Sequence, residues 1–337
     1  MRILNGRRPK GCPLGLLLFL NFLRNIPECT LILGGIFMYI KDIFSNKKTV
    51  ISFEIFPPKK DYSIDTIYET IDKLAPLNPD YISVTYGAGG NTKDRNKTVE
   101  IASIIKNKYN IEALAHLTCI SSTRDEVEEV LKLLKDNNIK NILALRGDIP
   151  QDPNFKFPTP LHFKYAVNLI EKIKSRKDFC IGSACYPEGH IECNNFDDDL
   201  QNLKKKVDAG ADFLITQLFF DNNFFYNFRE KVDEIGINVP IEVGIMPVTN
   251  SRQIKRITSL CGAYVPKKFE KIMDRYIDKP QALKDAGIAY ATEQIIDLLS
   301  SGVEGIHIYT MNNPEVARRI VSNIDSVVKA INNNIAV

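Results

Sequence analysis

The sequence predicts a closed (β/α)8 barrel of the TIM type, and three observations predict it. Short β-branched, apolar runs recur eight times between Val50 and Tyr309, each followed by an apolar pattern at helical spacing. Eight such units fill about 280 residues, the size of one barrel. An open doubly wound sheet would carry a glycine fingerprint after its first strand, but that strand runs into Phe56-Pro57-Pro58-Lys59.

Taken in order, the strands are 50–55, 81–86, 112–117, 140–146, 179–185, 212–217, 241–246 and 304–309, all rich in Val, Ile, Leu, Phe and Tyr. The first two helices fall near 64–75 and 95–108. Ser122-Thr123-Arg124-Asp125-Glu126 supplies cap oxygens and first-turn acids for a helix near 123–137. Helices near 161–174, 197–209, 223–235 and 251–261 follow, and Gly210 and Gly236 sit just past two of their ends. Two extra helices, near 266–276 and 281–300, lengthen the seventh connection, and the last helix covers 314–331. Gly87-Ala88-Gly89-Gly90-Asn91-Thr92 is the nearest approach to a dinucleotide loop. It has Thr where the third glycine belongs and follows the second strand.

The first 37 residues read differently. They are basic, with apolar runs at 13–23 and 30–40, which imitate a signal peptide or a membrane span. Each run is too short for a span of about 20 residues, and Asn21, Arg24, Asn25 and Glu28 lie between them. Residues 1–37 are expected to be an appendage outside the fold, with 38–337 forming one catalytic barrel and no membrane association. Five Lys/Arg and one acid lie in that appendage, leaving 39 basic against 40 acidic residues from Met38 onward. A near-neutral body excludes a phosphate-tracking nucleic-acid binder. Seven cysteines, an odd number in a large chain, point to a reducing cytoplasm.

Barrel sites lie at the C-terminal strand ends. There the chain places Glu54, Thr85-Tyr86, His116, Arg146-Gly147-Asp148, Tyr186-Pro-Glu188-Gly-His190, Gln217, Met246-Pro247 and Tyr309-Thr-Met-Asn312. Caps alone do not require so many functional groups. Glu54 stands between Phe53 and Ile55, an apolar setting that would raise a carboxyl pKa and make a general acid; pairing with a lysine of a neighbouring strand is the alternative. Asp148 is either a simple turn residue or a fixed negative charge at the barrel mouth. Cys180, Cys185, His190 and Cys193 invite a zinc reading, but Cys180 and Cys185 fall on opposite faces of a strand and no C-x-x-C pair exists, so no metal is expected. Asp199, Asn202 and Lys206 share one helix face, which suits a solvated helix or a cofactor's ribose and phosphates.

Ser52-Phe-Glu54-Ile-Phe-Pro-Pro58, Ser83-Val-Thr85-Tyr-Gly-Ala88, His116-Leu-Thr-Cys119, Leu145-Arg-Gly-Asp148, Tyr186-Pro-Glu-Gly-His190, Lys206-Val-Asp-Ala-Gly-Ala-Asp212, Thr216-Gln217 and His307-Ile-Tyr-Thr-Met-Asn312 occur in this order. Together they resemble the bacterial methylenetetrahydrofolate reductases, from about Ile51 to the last helix. The resemblance implies an FAD-dependent barrel that reduces 5,10-methylenetetrahydrofolate to 5-methyltetrahydrofolate, without the C-terminal regulatory domain of eukaryotic relatives. Glu54 matches the family's general acid, which protonates N10 so that reduced flavin can deliver hydride to the one-carbon unit. Thr85, Tyr86, His116, Arg146, Gly147, Asp148, Ala166, Tyr186, His190, Asp199, Asn202 and Lys206 match flavin-contacting positions. Asp148, Gln217 and Gln253 match folate-contacting ones. Beside a flavin, Asp148 would disfavour an anionic reduced ring and favour hydride donation.

NAD(P)H is the implied reductant and a homo-oligomer the implied assembly. Two departures bear on the partners: Asn313-Pro314 stands where the pattern has a basic residue, and Ile257 where relatives have a stacking aromatic. The second leaves an electron-delivering partner protein as an alternative to the nicotinamide. Other readings of a flavin barrel are a proline dehydrogenase-like enzyme and a non-catalytic electron-transfer subunit.

Because the regular pattern begins at Met38, deleting residues 1–37 is expected to leave flavin content and activity intact. An insoluble or colourless truncated protein overturns the appendage reading.

Overall fold

The computed structural model describes residues 39–58, 63–86, 92–149, 155–250, 258 and 261–333, and the side chains of 92–95 are not included. These residues fall within one compact unit, Met38–Val337. Eight strands, β1 (Val50–Ile55), β2 (Tyr81–Val84), β3 (Glu112–Thr118), β4 (Asn141–Leu145), β5 (Cys180–Cys185), β6 (Phe213–Thr216), β7 (Ile241–Ile245) and β8 (Gly305–Tyr309), form a closed barrel in sequence order. Every neighbouring pair is parallel, and β8 closes on β1 with Ser52 opposite His307 and Glu54 opposite Tyr309. The predicted barrel is therefore present, extra helices of the seventh connection included.

Around the barrel run α1 (Ile40–Asn46), α2 (Asp65–Leu74), α3 (Thr92–Tyr109), α4 (Arg124–Asp136), α5 (Ala166–Lys174), α6 (Phe196–Asp208), α7 (Asn222–Glu234), α8 (Lys267–Arg275), α9 (Pro280–Ser300) and α10 (Pro314–Asn333). In α4, Val127, Val130, Leu131 and Leu134 recur at i, i+3, i+4 and i+7 and are buried against the sheet. Thr123 caps this helix and Glu126 returns the bond, the capping box that the sequence announces. None of the described helices is long and apolar enough to cross a membrane.

Strand alternation divides the core in two. One face of each strand, including Phe53, Ile55, Ile82, Val84, Ile142 and Val243, packs under the helices. The other faces the barrel interior, where Val50, Tyr81, Leu114, Leu143, Cys180, Phe213 and Ile215 cluster toward the N-terminal end. Cys180 and Cys185 fall on the inner and outer faces as their spacing predicts.

Three elements differ from expectation. Helix α1 was not predicted; it covers the N-terminal end of the barrel, burying Ile40 and Ile43 in the inner cluster, and Ile40 N–H donates to Asn141 Oδ1 at 2.8 Å. Seven residues are too few for its period to stand out beside the apolar run that precedes it. Helix α5 begins at Ala166 rather than near 161, because Tyr165 is extended (φ −135°, ψ 162°) and Asn168 Oδ1 accepts its N–H. The helix predicted near 251–261, with Gln253 and Ile257, lies outside the described residues apart from 258 and 261, as do residues 1–37 and the Gly87–Asn91 loop.

Phe213 fills the lower barrel, 5.6 Å from the Phe44 ring and 6.4 Å from Tyr81, above a Gly182 that has no room for a Cβ. Replacing a fully buried aromatic by Ala leaves a cavity, so Phe213→Ala is expected to cost about 3–5 kcal/mol in urea unfolding. A loss within about 0.5 kcal/mol, as at surface positions, would show that the interior there is not packed.

Candidate active site

Glu54, Thr85, Tyr86, His116, Arg146, Gly147, Asp148, Tyr186, His190 and Gln217 line one cavity of about 370 Å³ at the C-terminal mouth of the barrel. Arg146, Ala166, Tyr186, His190, Asp199, Asn202 and Lys206 line a second of about 420 Å³, beside β4 and β5. Arg146, Tyr186 and His190 belong to both walls, so the cavities adjoin. Glu54 and every position matched to flavin or folate contacts lie in this pair except Gln253, which is outside the described residues.

Glu54 corrects one expectation. Phe53 and Ile55 point outward under the helices, because alternate residues of a strand face opposite ways. Among the described residues the carboxyl faces imidazoles and no lysine: Oε2 lies 3.5 Å from His116 Nε2 and 3.6 Å from His307 Nε2. Burial holds His116 down to about 4, so it is a neutral imidazole at physiological pH. Its Nε2 is buried and has no hydrogen-bond partner among the described residues.

The chain leaving Glu54 is clamped by β8 and the turn after it. Thr310 Oγ1 donates to Glu54 O at 2.6 Å, and Asn312 exchanges two hydrogen bonds with the backbone of Phe56, at 3.0 and 2.9 Å. Asn312 does so at φ 53°, a left-handed conformation that asparagine tolerates better than most residues. The Thr-Met-Asn sequence therefore fixes the direction of the Glu54 strand exit. Next to it, Asn313 Oδ1 accepts from Val316 N–H and Pro314 opens α10, so the position expected to be basic serves as a helix cap.

The Arg146-Gly147-Asp148 turn needs its glycine. Gly147 has φ 84°, and a Cβ there would stand 2.7 Å from Thr118 Cβ. Arg146 meets Glu192 in a forked pair, at 2.5 and 2.8 Å, which ties the end of β4 to the loop after β5. Asp148 is exposed at the mouth. Gln217 is held by its backbone to Cys185 O at 2.7 Å and lines the mouth cavity.

In the second cavity Lys206 is half-buried; its ammonium donates to Ala184 O, and desolvation lowers its pKa. No carboxylate pairs with it among the described residues. Ser183 Oγ, buried and on the same wall, has no hydrogen-bond partner among the described residues. Asp199 spends one oxygen on His190 N–H at 3.0 Å, which anchors the loop. The Tyr186 ring stands edge-on to His190 at 4.6 Å, and burial pushes its phenol up to about 12. Among the described residues no group of His, Cys, Asp and Glu is arranged to hold a metal.

The sequence reading missed His307, Ser52, Tyr81, Glu242 and Glu192. The sequence carries a signal for three of them: counting back by twos from Tyr309 and Glu54 reaches His307 and Ser52, and Glu242 interrupts an apolar strand as Glu54 does.

Residues 39–325 match the family described as methylenetetrahydrofolate reductase. The 5,10-methylenetetrahydrofolate reductase of Escherichia coli is 38% identical over 270 residues, covering 80% of this chain and 88% of its own. Methylenetetrahydrofolate reductase (NADH) 1 of Arabidopsis thaliana is 36% identical over 296 residues, 85% of this chain and 50% of its own. The chain thus spans about half the length of the plant relatives it matches. A Clostridium thermocellum protein that binds two copies of 5-methyl-5,6,7,8-tetrahydrofolic acid shares the fold, with a TM-score of 0.58 at 14% identity over 86% of this chain and 98% of its own. The chain belongs to the methylenetetrahydrofolate reductase family.

Proposed function

We propose, with family membership as the premise, that this chain reduces 5,10-methylenetetrahydrofolate to 5-methyltetrahydrofolate with FAD as its cofactor and NAD(P)H as the electron source. The observation that carries the reading is Glu54 in the mouth cavity, bracketed by two imidazoles and fixed by the Thr310 and Asn312 clamp. A carboxyl so held is placed to give a proton to a substrate nitrogen above it. The chemistry asks for this, because the imidazolidine ring of the substrate must open at N10 before its one-carbon unit can accept hydride.

The residues fit the cofactor. Lys206 has no carboxylate pair and Ser183 Oγ no hydrogen-bond partner among the described residues, and Asn202 shares their cavity, a donor set suited to ribose and phosphates. The adjoining mouth, with Thr85, Tyr86, His116, Arg146 and Asp148, would take the ring system, and Gln217 and Asp148 would read the pterin. When bound, the flavin supplies the hydride. The protein's own part is to hold both ring systems over Glu54, to exclude water from that side, and to deliver the proton. The barrel, residues 38–337, would carry all of this, and the odd cysteine count suits a cytoplasmic site of action.

Glu54→Gln keeps shape and loses the proton. Reduction of the flavin by NADH opens no ring and is expected to change by no more than a few-fold, while reoxidation by methylenetetrahydrofolate falls by roughly 10²–10⁴-fold. Stopped-flow measurement of the two half-reactions separates the outcomes: equal slowing makes Glu54 structural, and no slowing in either assigns the proton to another group.

Asp148→Asn removes a negative charge from the mouth. The flavin midpoint potential is expected to rise and hydride transfer to folate to slow, with flavin reduction retained. An unchanged potential places Asp148 away from the ring.

A further inference from the structure

The contacts behind Glu54 continue into the barrel floor and end on a second carboxyl group. Glu242, on β7, is fully buried, and both its oxygens have partners. Tyr81 OH donates to Oε2, and Ser52 Oγ lies 2.7 Å from Oε1. Ser52 Oγ also lies 2.6 Å from His307 Nδ1, and the far nitrogen of that ring faces Glu54 Oε2 at 3.6 Å. Room for Glu242 is built in: a Cβ on Gly305 would stand 2.9 Å from Glu242 Cγ and 3.2 Å from Oε1. A carboxyl buried between Ile241 and Val243 costs free energy that an apolar side chain would not.

Ser52 has one proton between two acceptors, and that proton gives the chain a direction. When Glu242 is ionised, Ser52 donates to it and accepts from His307 Nδ1–H, leaving the Nε2 lone pair toward Glu54. When Glu242 is protonated, it donates to Ser52, Ser52 donates to Nδ1, and Nε2–H faces Glu54. We propose that Glu242 is a positioning residue that holds a proton in reserve for Glu54 and passes it through Ser52 and His307. The transfer breaks one bond to hydrogen and forms one at each step: Glu242 to Ser52, Ser52 to His307 Nδ1, His307 Nε2 to the Glu54 carboxylate. It ends with Glu54 neutral, Glu242 ionised, Ser52 unchanged, and His307 in the opposite tautomer with the same number of protons.

The groups around the chain leave it undisturbed near neutrality. Tyr81 from β2 and Tyr309 from β8 are pushed well above the usual phenol value by burial, and His116 from β3 is held down to about 4. Ser83 Oγ, 3.5 Å from His307 Nε2, does not ionise, and Asp80 acts on Glu242 only at longer range. Burial pushes Glu242 up to about 7, against the opposing pull of His307, Tyr81 and Ser52, so both of its states are populated. A ligand over the mouth would cut Glu54 off from water on that side, and among the described residues the inner cluster and α1 close the other. The reserve then supplies one proton and refills by the reverse path when the mouth clears.

The inference rests on the proposed function only in making Glu54 an acid, and its test needs neither flavin nor folate. In the full chain labelled with 15N-histidine, four imidazoles are to be assigned, and long-range 1H–15N spectra report which nitrogen of His307 carries hydrogen. As pH rises through neutrality, Nδ1 is expected to gain its proton and Nε2 to lose it. Glu242→Gln and Ser52→Ala are expected to abolish the switch. Tyr81→Phe/Glu242→Leu, which leaves no phenol unpartnered, is expected to do the same in a floor that keeps Ser52 and His307 but has no second carboxyl group. A His307 tautomer that does not move with pH in the wild type, or that still switches in the Glu242→Gln protein, overturns the proposal. A wild-type switch in a protein that fails to reduce methylenetetrahydrofolate supports the relay and sinks the proposed function instead.

Discussion

Closing eight parallel strands into a barrel obliges every second side chain to point inward, and the rest of this structure follows from that constraint. The outward set needs only to be apolar and β-branched, so that the helices can cover it. The inward set must fill a narrow cylinder at its lower end and present chemistry at its upper end. In β1 the two demands interleave residue by residue: Ser52 and Glu54 face in, while Phe53 and Ile55 face out. A one-residue slip of that strand would bury the carboxyl under the helices and turn two apolar side chains into the mouth.

The floor of this barrel is unusual in being polar on one side only. Phe213, Leu114, Leu143 and Cys180 pack conventionally, whereas Ser52, Tyr81, Glu242 and His307 form a buried hydrogen-bonded set on β1, β2, β7 and β8. Such a set stabilises only when its members satisfy one another, because a lone buried polar group costs more than the bond it lacks. Two glycines make the fit possible. Gly305 leaves space for Glu242, and Gly244 leaves space for Tyr309, whose hydroxyl would stand 2.6 Å from a Cβ there. The polar side of the floor lies beneath Glu54, so the carboxyl at the mouth rests on hydrogen-bonding groups and not on packed hydrocarbon.

Much of this was legible in the sequence, for a physical reason. Period-two and period-3.6 patterns encode burial directly, so the eight strands, the extra helices of the seventh connection and the Thr123 capping box could be read from the residues. Convergence of the strand ends then follows from topology alone, which brings Glu54, His116, Arg146 and Gln217 together without any knowledge of side-chain contacts. What was illegible is contact chemistry across the barrel. The apolar neighbours of Glu54 in sequence suggested an apolar site, while its neighbours in space are imidazoles from β3 and β8, 62 and 253 positions along the chain. Asp199 looked like a ligand contact and is also a loop anchor. Helix α1 escaped because its seven residues follow directly on an apolar run and carry too little of a helical period.

The two cavities differ in how their cations are compensated, and that difference assigns them unequal parts. Arg146 is already matched by Glu192 in a forked pair, so its charge is largely spent on joining β4 to the loop after β5. Lys206 has a backbone carbonyl and the Tyr186 ring, 5.9 Å away, but no carboxylate pair among the described residues, and its burial disfavours the charged form. A polyanion entering the second cavity would supply the missing opposite charge, raise the Lys206 pKa and be held more tightly for doing so, because the coupling of binding to protonation works in both directions. Arg146 gains much less from the same ligand. On the proposed function, anion binding would therefore rest on Lys206 in the second cavity, while Glu54 in the mouth has the imidazoles of His116 and His307 beside it.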